Sequence, residues 1–323
     1  MPERLDLSII IVNWKSAEFV RGCVRSIRRQ TRGITYEVLV IDNASYDGCE
    51  RMLRQEAPEV IYLQSEENHG FARANNVAFE RARGASLLFL NPDTEILGAA
   101  IGRLHRALRE LPAAGVVGPK LLNRDGSVQS TCVQAFPNIL NQVLGCEYLE
   151  RKLPHSSLWG MAAVHRSSRR PSEVEMVPGA CLMISREVFE RIGRFSEDYF
   201  MYTEDADLCY KARAGGWKTY YVPEAVVVHF GGGSSRLAVS DFSAVMMRES
   251  LWRFLRKTRG RLYGLAYRGS MLLSALCRLG LLGCLVAWEG TRRREKSWAD
   301  SLRKWRAVLR WSLGLERFGR RNK

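Results

Sequence analysis

An α/β protein, with a mostly parallel sheet covered on both faces and a basic helical extension after it, is the fold class this sequence predicts. Three observations predict it. Short apolar runs rich in β-branched residues alternate with amphipathic stretches through the first half of the chain. Each of those runs ends in a polar cluster, where the carboxyl ends of strands in an open α/β sheet meet their ligands. The excess charge is confined to the last quarter: residues 1–247 carry 29 Lys+Arg and 29 Asp+Glu, whereas residues 248–323 carry 20 and 5, the whole of the net +15. A first domain over 1–240 and a basic helical extension over 241–323 follow from that shift.

Taken in order, Leu7–Val12 reads as a buried strand and Ala17–Gln30 as a helix. Tyr36–Ile41 is the second strand, with a helix after Asp47. Val60–Gln64 is the third strand, followed by a helix over Phe71–Arg83. Ser86–Leu90 is the fourth, stopped by Pro92, and a helix is expected over Ile96–Leu111. The order is that of a Rossmann-type nucleotide-binding sheet. Beyond it, Asn123-Arg124-Asp125-Gly126 reads as a hairpin-like turn. Residues 151–173, rich in Arg, Ser, Pro and His, read as a long surface loop of the kind that often covers a site. Ala180–Ser185 is a strand, Arg186–Ile192 a short helix, and Glu204–Ala214 a helix stopped by Gly215-Gly216. Lys218–Val222 and Ala225–Phe230 are further strands.

The apolar fraction of 46% and charged fraction of 26% are globular values. Eight cysteines form no CxxC pair and lie mostly in apolar surroundings, so buried free thiols in a reducing compartment are expected and a zinc site is not. Asp6 interrupts the N-terminus and the run Ile9–Val12 is too short for a signal peptide, which predicts a cytoplasmic location.

Four polar clusters stand at predicted strand ends. Val12-Asn13-Trp14 follows the first strand. Asp42-Asn43-Ala44-Ser45 follows the second, where an acid suits a ribose or base. In Asn68–Asn76 a glycine opens a helix and Arg73 is a candidate for phosphate contact. Asn91-Pro92-Asp93 follows the fourth strand, and Asp93 is a candidate metal ligand. Each cluster alone is equally an ordinary turn or helix cap; four at one sheet edge point to a ligand. In the second half, Asp205 and Asp207 are two apart on a predicted helix and point apart. Glu204 and Asp207 share a face, and Asp207 precedes Lys211 by four, a structural pair. Asp205 is left as the candidate base. His229 ends a strand ahead of Gly231-Gly232-Gly233-Ser234; either a packed histidine or a partner of Asp93 in an Asp/His site fits, and mixed O and N ligation favours Mn²⁺ over Mg²⁺.

As an ordered set, SIIIVNW (Ser8–Trp14), VIDNAS (Val40–Ser45), NHGFARANN (Asn68–Asn76), NPDT (Asn91–Thr94), GACLMI (Gly179–Ile184), EDADL (Glu204–Leu208) and Val228-His229 resemble the family 2 inverting glycosyltransferases of GT-A fold, in particular a bacterial subgroup with many rhamnosyltransferases. The resemblance covers about residues 7–235. It implies a nucleotide-sugar donor, a saccharide or lipid-linked saccharide acceptor, and a divalent metal, Mn²⁺ or Mg²⁺. It implies that Asn13, Asp42 and Asn43 serve the nucleoside side and Arg73 the diphosphate. Asn91-Pro92-Asp93 stands for the family's D-x-D motif, departing from it at Asn91, with Asp93 and His229 as metal ligands. Asp205 is then the base, with Glu204 as the alternative. L-rhamnose from dTDP-rhamnose is the subgroup's implied donor.

Competing classes fit less of the chain. A nucleotidyltransferase needs a glycine-rich basic loop where Asn13-Trp14-Lys15-Ser16 stands. A nucleic-acid-binding protein would have to use the basic tail alone, because the net-neutral first domain offers no basic groove, and no nucleic-acid partner is expected. A processive synthase would carry a Q-x-x-R-W motif that is absent here. In the tail, Leu262–Trp288 is apolar but interrupted by Arg268 and Arg278, which predicts an interfacial helix rather than a span. Trp298, Leu302, Trp305, Leu309 and Ser312 then fall on one helical face with basic residues opposite. That pattern predicts peripheral attachment to the anionic inner face of the cytoplasmic membrane; a packed helix pair with a solvated basic face is the competing reading.

Overall fold

β1 (Leu7–Asn13) is buried along all seven residues, as a strand covered on both faces must be. The computed structural model describes residues 5–144, 152–153, 156, 168–231, 241–289 and 295–316. By internal contacts the chain falls into two units. The first comprises Met1–Phe136, Glu147–Phe200 and Glu204–Ser235; the second comprises Pro137–Cys146, Met201–Thr203 and Arg236–Lys323. The second unit thus takes in two short segments that the charge pattern does not mark.

The first unit is built on one nine-stranded sheet of order β3-β2-β1-β4-β8-β6-β9-β5, with β7 on β9. Its strands are β2 (Tyr36–Asn43), β3 (Ile61–Ser65), β4 (Ser86–Leu90), β5 (Thr94–Leu97), β6 (Ala114–Leu122), β7 (Ser172–Val174), β8 (Cys181–Ser185) and β9 (Lys218–His229). β3, β2, β1 and β4 pair in parallel. The other half is mixed: β8 is antiparallel to β4 and β6, β5 and β7 are antiparallel to β9, and only β6 and β9 are parallel. A mostly parallel sheet therefore describes only its first half. Helices α1 (Ala17–Gln30), α2 (Cys49–Glu56), α3 (Gly70–Phe79) and α4 (Ala100–Glu110) follow the early strands, and α6 (Arg186–Arg191) and α7 (Glu204–Ala214) the later ones.

Three boundaries differ from expectation, the simplest being that α3 ends at Phe79 rather than Arg83. Ile96 and Leu97 lie in β5, not in a helix, because the backbone leaving Pro92 pairs with β9 before α4 begins. Lys218–His229 is one strand; the break expected at Pro223 is absorbed as a register shift against Pro119–Lys120 of β6. The Asn123–Gly126 turn forms, with the Gly126 N–H donating to Asn123 O at 3.0 Å and Gly126 at φ 80°. Most of 151–173, and Gly232-Gly233-Ser234, lie outside the described residues. Cys23, Cys49, Cys132, Cys181 and Cys209 are buried free thiols, whereas Cys277 and Cys284 are exposed.

The second unit holds α5 (Ile139–Leu144), α8 (Asp241–Arg259), α9 (Arg261–Glu289) and α10 (Glu295–Ser312). Trp305 is 9% exposed and Trp311 fully buried; Trp305 and Val308 pack with Ala275, Leu279 and Leu282 of α9. The tryptophan-bearing face of α10 expected on the membrane is thus taken up inside the unit, where burying a large aromatic ring stabilises most. Arg268 and Arg278, which interrupt the apolar run in sequence, also turn inward. Arg268 donates to the carbonyls of Trp311 and Ser312 at 2.6 and 3.1 Å, and Arg278 stacks 4.5 Å from the Trp305 ring centre. On α9 it is Leu262, Leu265, Leu273 and Leu276 that face outward, 51–82% exposed. Their spacing puts them on one face of the helix. Arg261–Cys284 is long and apolar enough to cross a membrane by length and composition, with 22% of its most apolar window buried.

Candidate functional site

The carboxyl ends of β1 and β2 meet in a network of buried polar groups. Asn13 and Asp42 are aligned neighbours in the parallel register, and Asn13 Nδ2 donates to Asp42 Oδ1 at 2.7 Å. The other Asp42 oxygen accepts from the Ser45 and Tyr46 N–H groups and from Gln64 Nε2, at 3.1–3.2 Å. Asp47 joins by accepting from Asn13 Nδ2 at 3.1 Å and from the Ala17 N–H, at the start of α1, at 2.9 Å. Asn43 clamps the next loop: its Oδ1 accepts the His69 N–H at 2.8 Å, and its Nδ2 donates to Asn68 Oδ1 and Gly70 O. Gly70 must be glycine, since at φ 74° a Cβ would fall 2.0 Å from Phe200 O. Arg73 is half-exposed on α3, 3.4 Å from Glu67 and 3.9 Å from Glu197. These groups are satisfied by one another, as buried polar groups must be.

Asn91-Pro92-Asp93 leaves β4 and enters β5. The Asn91 N–H donates to Ala180 O, just before β8, and Asn91 O accepts from the Thr94 hydroxyl at 2.7 Å. Because β5 runs antiparallel to β9 with Thr94 opposite His229, Asp93 is brought beside that histidine: Asp93 Oδ1 lies 3.4 Å from His229 Nε2. Asn91 Nδ2 lies 3.5 Å from the same nitrogen, and the Phe230 N–H donates to Asp93 O at 2.9 Å. Asp93 is only 6% exposed. A carboxylate oxygen and an imidazole nitrogen thus converge, with the Asn91 amide nitrogen beside them, and mixed oxygen and nitrogen donors suit Mn²⁺ better than Mg²⁺. Among the described residues no set of three or more His, Cys, Asp and Glu side chains is arranged to hold a metal.

The second acidic group opens α7. Asp205 accepts from the Gly179 N–H at 2.9 Å, and a Cβ on Gly179 would come within 3.4 Å of the Asp205 Cβ and 3.6 Å of the Phe71 ring. Gly179 thus lies in contact range of both the acid and the Phe71 ring at the start of α3. Burial pushes the Asp205 carboxyl up, and the N–H groups of Gly179 and Ala206 hold it down. Glu204 is buried, its Oε2 has no hydrogen-bond partner, and burial together with the Asp205 charge raises it to about 8. Both carboxyls are therefore pushed upward, and for Glu204 the Asp205 charge adds to the effect of burial. Asp207 points away, onto Ser196, Tyr199 and Lys211. Tyr202 and Thr203, just ahead of α7, both stand at φ 70°, a conformation costing of order 1–3 kcal/mol each.

Sequence reasoning passed over the hydrogen bond from Gly179 and the contacts of Gln129. Gly179 lies in a motif that was singled out, but its lack of a side chain gave no chemical signal.

Residues 8–193 match the family described as Glycosyl transferase family 2, and residues 148–313 match Glycosyl transferase family group 2. Over 216 residues the chain is 30% identical to a low-salt glycan biosynthesis hexosyltransferase of Haloferax volcanii, covering 64% of this chain and 62% of that protein. Over 210 residues it is 34% identical to an N-acetylglucosaminyl-diphospho-decaprenol L-rhamnosyltransferase of Mycobacterium tuberculosis, covering 59% and 66%. The chain thus matches a little under two thirds of the length of these relatives. In fold it is similar to a mannosyltransferase of Pyrobaculum calidifontis solved with GDP-Man and Mn²⁺: TM-score 0.56 at 15% identity, covering 97% of this chain and 87% of that one.

Proposed function

Because the chain belongs to glycosyl transferase family 2, we propose that it moves a single sugar from a nucleotide-sugar donor to a saccharide or lipid-linked saccharide acceptor in the synthesis of a cell-surface glycan. The observation that carries this reading is the meeting of Asp93 with His229 at 3.4 Å, at the edge of the sheet that also bears Asn13 and Asp42. L-rhamnose from a dTDP-linked donor is the specific proposal, supported by the rhamnosyltransferase among the relatives.

In this reading the network of Asn13, Asp42 and Asn43 shapes the nucleoside side of the site, and Arg73 stands toward the diphosphate. Asp93 and His229, with Asn91 beside them, hold a divalent cation. When bound, that cation offsets the charge growing on the departing nucleoside diphosphate. Asp205 takes the proton of the acceptor hydroxyl as its oxygen bonds to the anomeric carbon. The bond from that carbon to the diphosphate oxygen breaks on the opposite face, its electron pair leaves with the diphosphate, and configuration inverts. Glu204, holding its proton, keeps a second negative charge out of the pair.

The test is thermal stabilisation by dTDP-, UDP- and GDP-sugars with and without Mn²⁺. A shift that needs both one nucleotide and Mn²⁺, and is lost in Asp93→Ala, is expected. No shift with any donor would overturn the reading.

Attachment to an anionic membrane belongs to the same proposal, and α9 supports it. Its outward leucines lie just beyond the basic end of α8, where Arg256, Lys257 and Arg259 cluster. Leu265→Glu with Leu273→Glu should release the protein from phosphatidylglycerol vesicles in a flotation assay; undiminished flotation would sink the attachment.

A further inference from the structure

The Asp93–His229 pair is served by a residue that neither the family resemblance nor the motifs point to. Gln129 donates from Nε2 to the backbone oxygen of His229 at 2.7 Å, and its Oε1 lies 3.1 Å from His229 Nδ1. These two contacts fix the hydrogen atoms. A backbone oxygen only accepts, so the amide nitrogen must face it; a flipped amide would set oxygen against oxygen. Oε1 therefore faces the ring, and because it too only accepts, Nδ1 must carry the proton. Nε2 is left on the far side of the ring, the side that faces Asp93 Oδ1 at 3.4 Å and Asn91 Nδ2 at 3.5 Å.

The backbone holds Gln129 in this position. The Asn123–Gly126 turn folds the chain back on β6, where Leu122 bridges Val128 in antiparallel fashion and Asn123 N–H donates to Ser127 O at 2.7 Å. The Gln129 N–H then donates to Leu121 O at 2.9 Å. The next residues form a single 3₁₀ turn, Ser130–Cys132, and its Cys132 thiol accepts the Leu121 N–H and donates to Leu121 O. Since Leu121 and Leu122 align with Val227 and Val228 of β9, this return places Gln129 beside His229, the next residue along β9.

We propose that Gln129 is a positioning residue for a divalent-cation site at Asp93 and His229: its carboxamide locks the ring with Nδ1–H turned inward and Nε2 presented toward the carboxylate as a ligand. The proposal rests on the metal reading given above. A metal-binding histidine needs its other ring nitrogen to donate to a fixed acceptor, and removing such an acceptor typically weakens metal affinity about 10–100-fold.

Two variants and two readouts test it. Gln129→Leu removes the acceptor. Gln129→Glu keeps an oxygen facing Nδ1 but gives up the bond to the His229 carbonyl, from which its second oxygen must turn away toward solvent, so it tests the acceptor alone. Gln129 is only half-buried, so both are expected to fold. In the metal-free protein labelled with ¹⁵N-histidine, with the His229 signals assigned by their loss in His229→Ala, the proton should sit on Nδ1 in wild type and in Gln129→Glu. In Gln129→Leu that preference should be lost. Mn²⁺ titrated in the presence of dTDP, UDP and GDP in turn, and followed by the electron paramagnetic resonance of the free ion, should bind Gln129→Leu about 10–100-fold more weakly than wild type. Gln129→Glu should keep most of the wild-type affinity. A proton on Nε2 in wild type, or equal Mn²⁺ affinity in wild type and Gln129→Leu, overturns the inference alone while Asp93→Ala still abolishes binding. Wild type that takes up no Mn²⁺ with any of the three nucleotides overturns the metal reading and the inference with it.

Discussion

Asp42 and Glu204 are both buried acids at the carboxyl edge of the same unit, and their surroundings are opposite. Asp42 accepts hydrogen bonds from Asn13, Ser45, Tyr46 and Gln64. Glu204 has an oxygen with no partner and lies next to a second carboxyl. The first arrangement satisfies the carboxylate and fixes a loop; the second leaves a charge costly. Buried acid alone therefore says little about role. What separates scaffold from chemistry is whether the surrounding donors have already satisfied the carboxylate.

The largest effect expected from this contrast lies in the second cluster. Asp205→Asn should lower kcat by ~10²–10⁴-fold while Mn²⁺-dependent binding of the donor persists. Its melting temperature should match or exceed that of wild type, because a carboxyl raised by burial is removed. Glu204→Gln should keep most of its turnover. If Glu204→Gln loses turnover and Asp205→Asn does not, the base is Glu204.

In the first cluster the expected loss is of stability. Asp42→Ala strands the buried Asn13 Nδ2 and leaves the Ser45, Tyr46 and Gln64 donors to water. A loss of about 1–3 kcal/mol is expected, the cost of one buried donor left unsatisfied. Urea denaturation measures it. A variant of unchanged stability that no longer binds any nucleotide would make Asp42 a direct ligand contact rather than the keystone of the loop.

The two clusters were not equally legible in the sequence. Strands β1 to β4 and helix α1 follow from apolar period and turn chemistry, which act over a few residues, and the acids at their ends follow from strand length. The separation of Asp205 from Asp207 was also legible, because helical geometry alone sends them apart. The meeting of Asp93 with His229, implied by the family resemblance and left open by the residues alone, depends on the pairing of β5 with β9 across more than a hundred residues, and Leu97 gives no local hint of that strand. The same limit hid Gln129, whose position requires a turn, a strand and a 3₁₀ turn together. In the second unit, counting charges along α9 made Arg268 and Arg278 look like interruptions. Only tertiary packing turns them inward onto Trp311 and Trp305 and leaves the leucines outside.

The smallest effect is the most specific test of the contrast. Glu204 has an ordinary value of 4.5 and is raised to about 8 in the folded protein. Between those limits the folded state holds a proton that the unfolded state has released, so stability falls as pH rises through this window and levels off above it. Glu204→Gln removes this dependence; the cost of burying an amide is a constant offset that does not change with pH. The melting temperature of Glu204→Gln relative to wild type should therefore climb between about pH 5 and pH 8.5. Asp205, present in both proteins, contributes to each and largely cancels in the difference. Parallel curves would mean that Glu204 is already ionised at neutral pH. In that case the unpartnered oxygen no longer marks a held proton, and Asp205 is no longer set apart from Glu204 as the base.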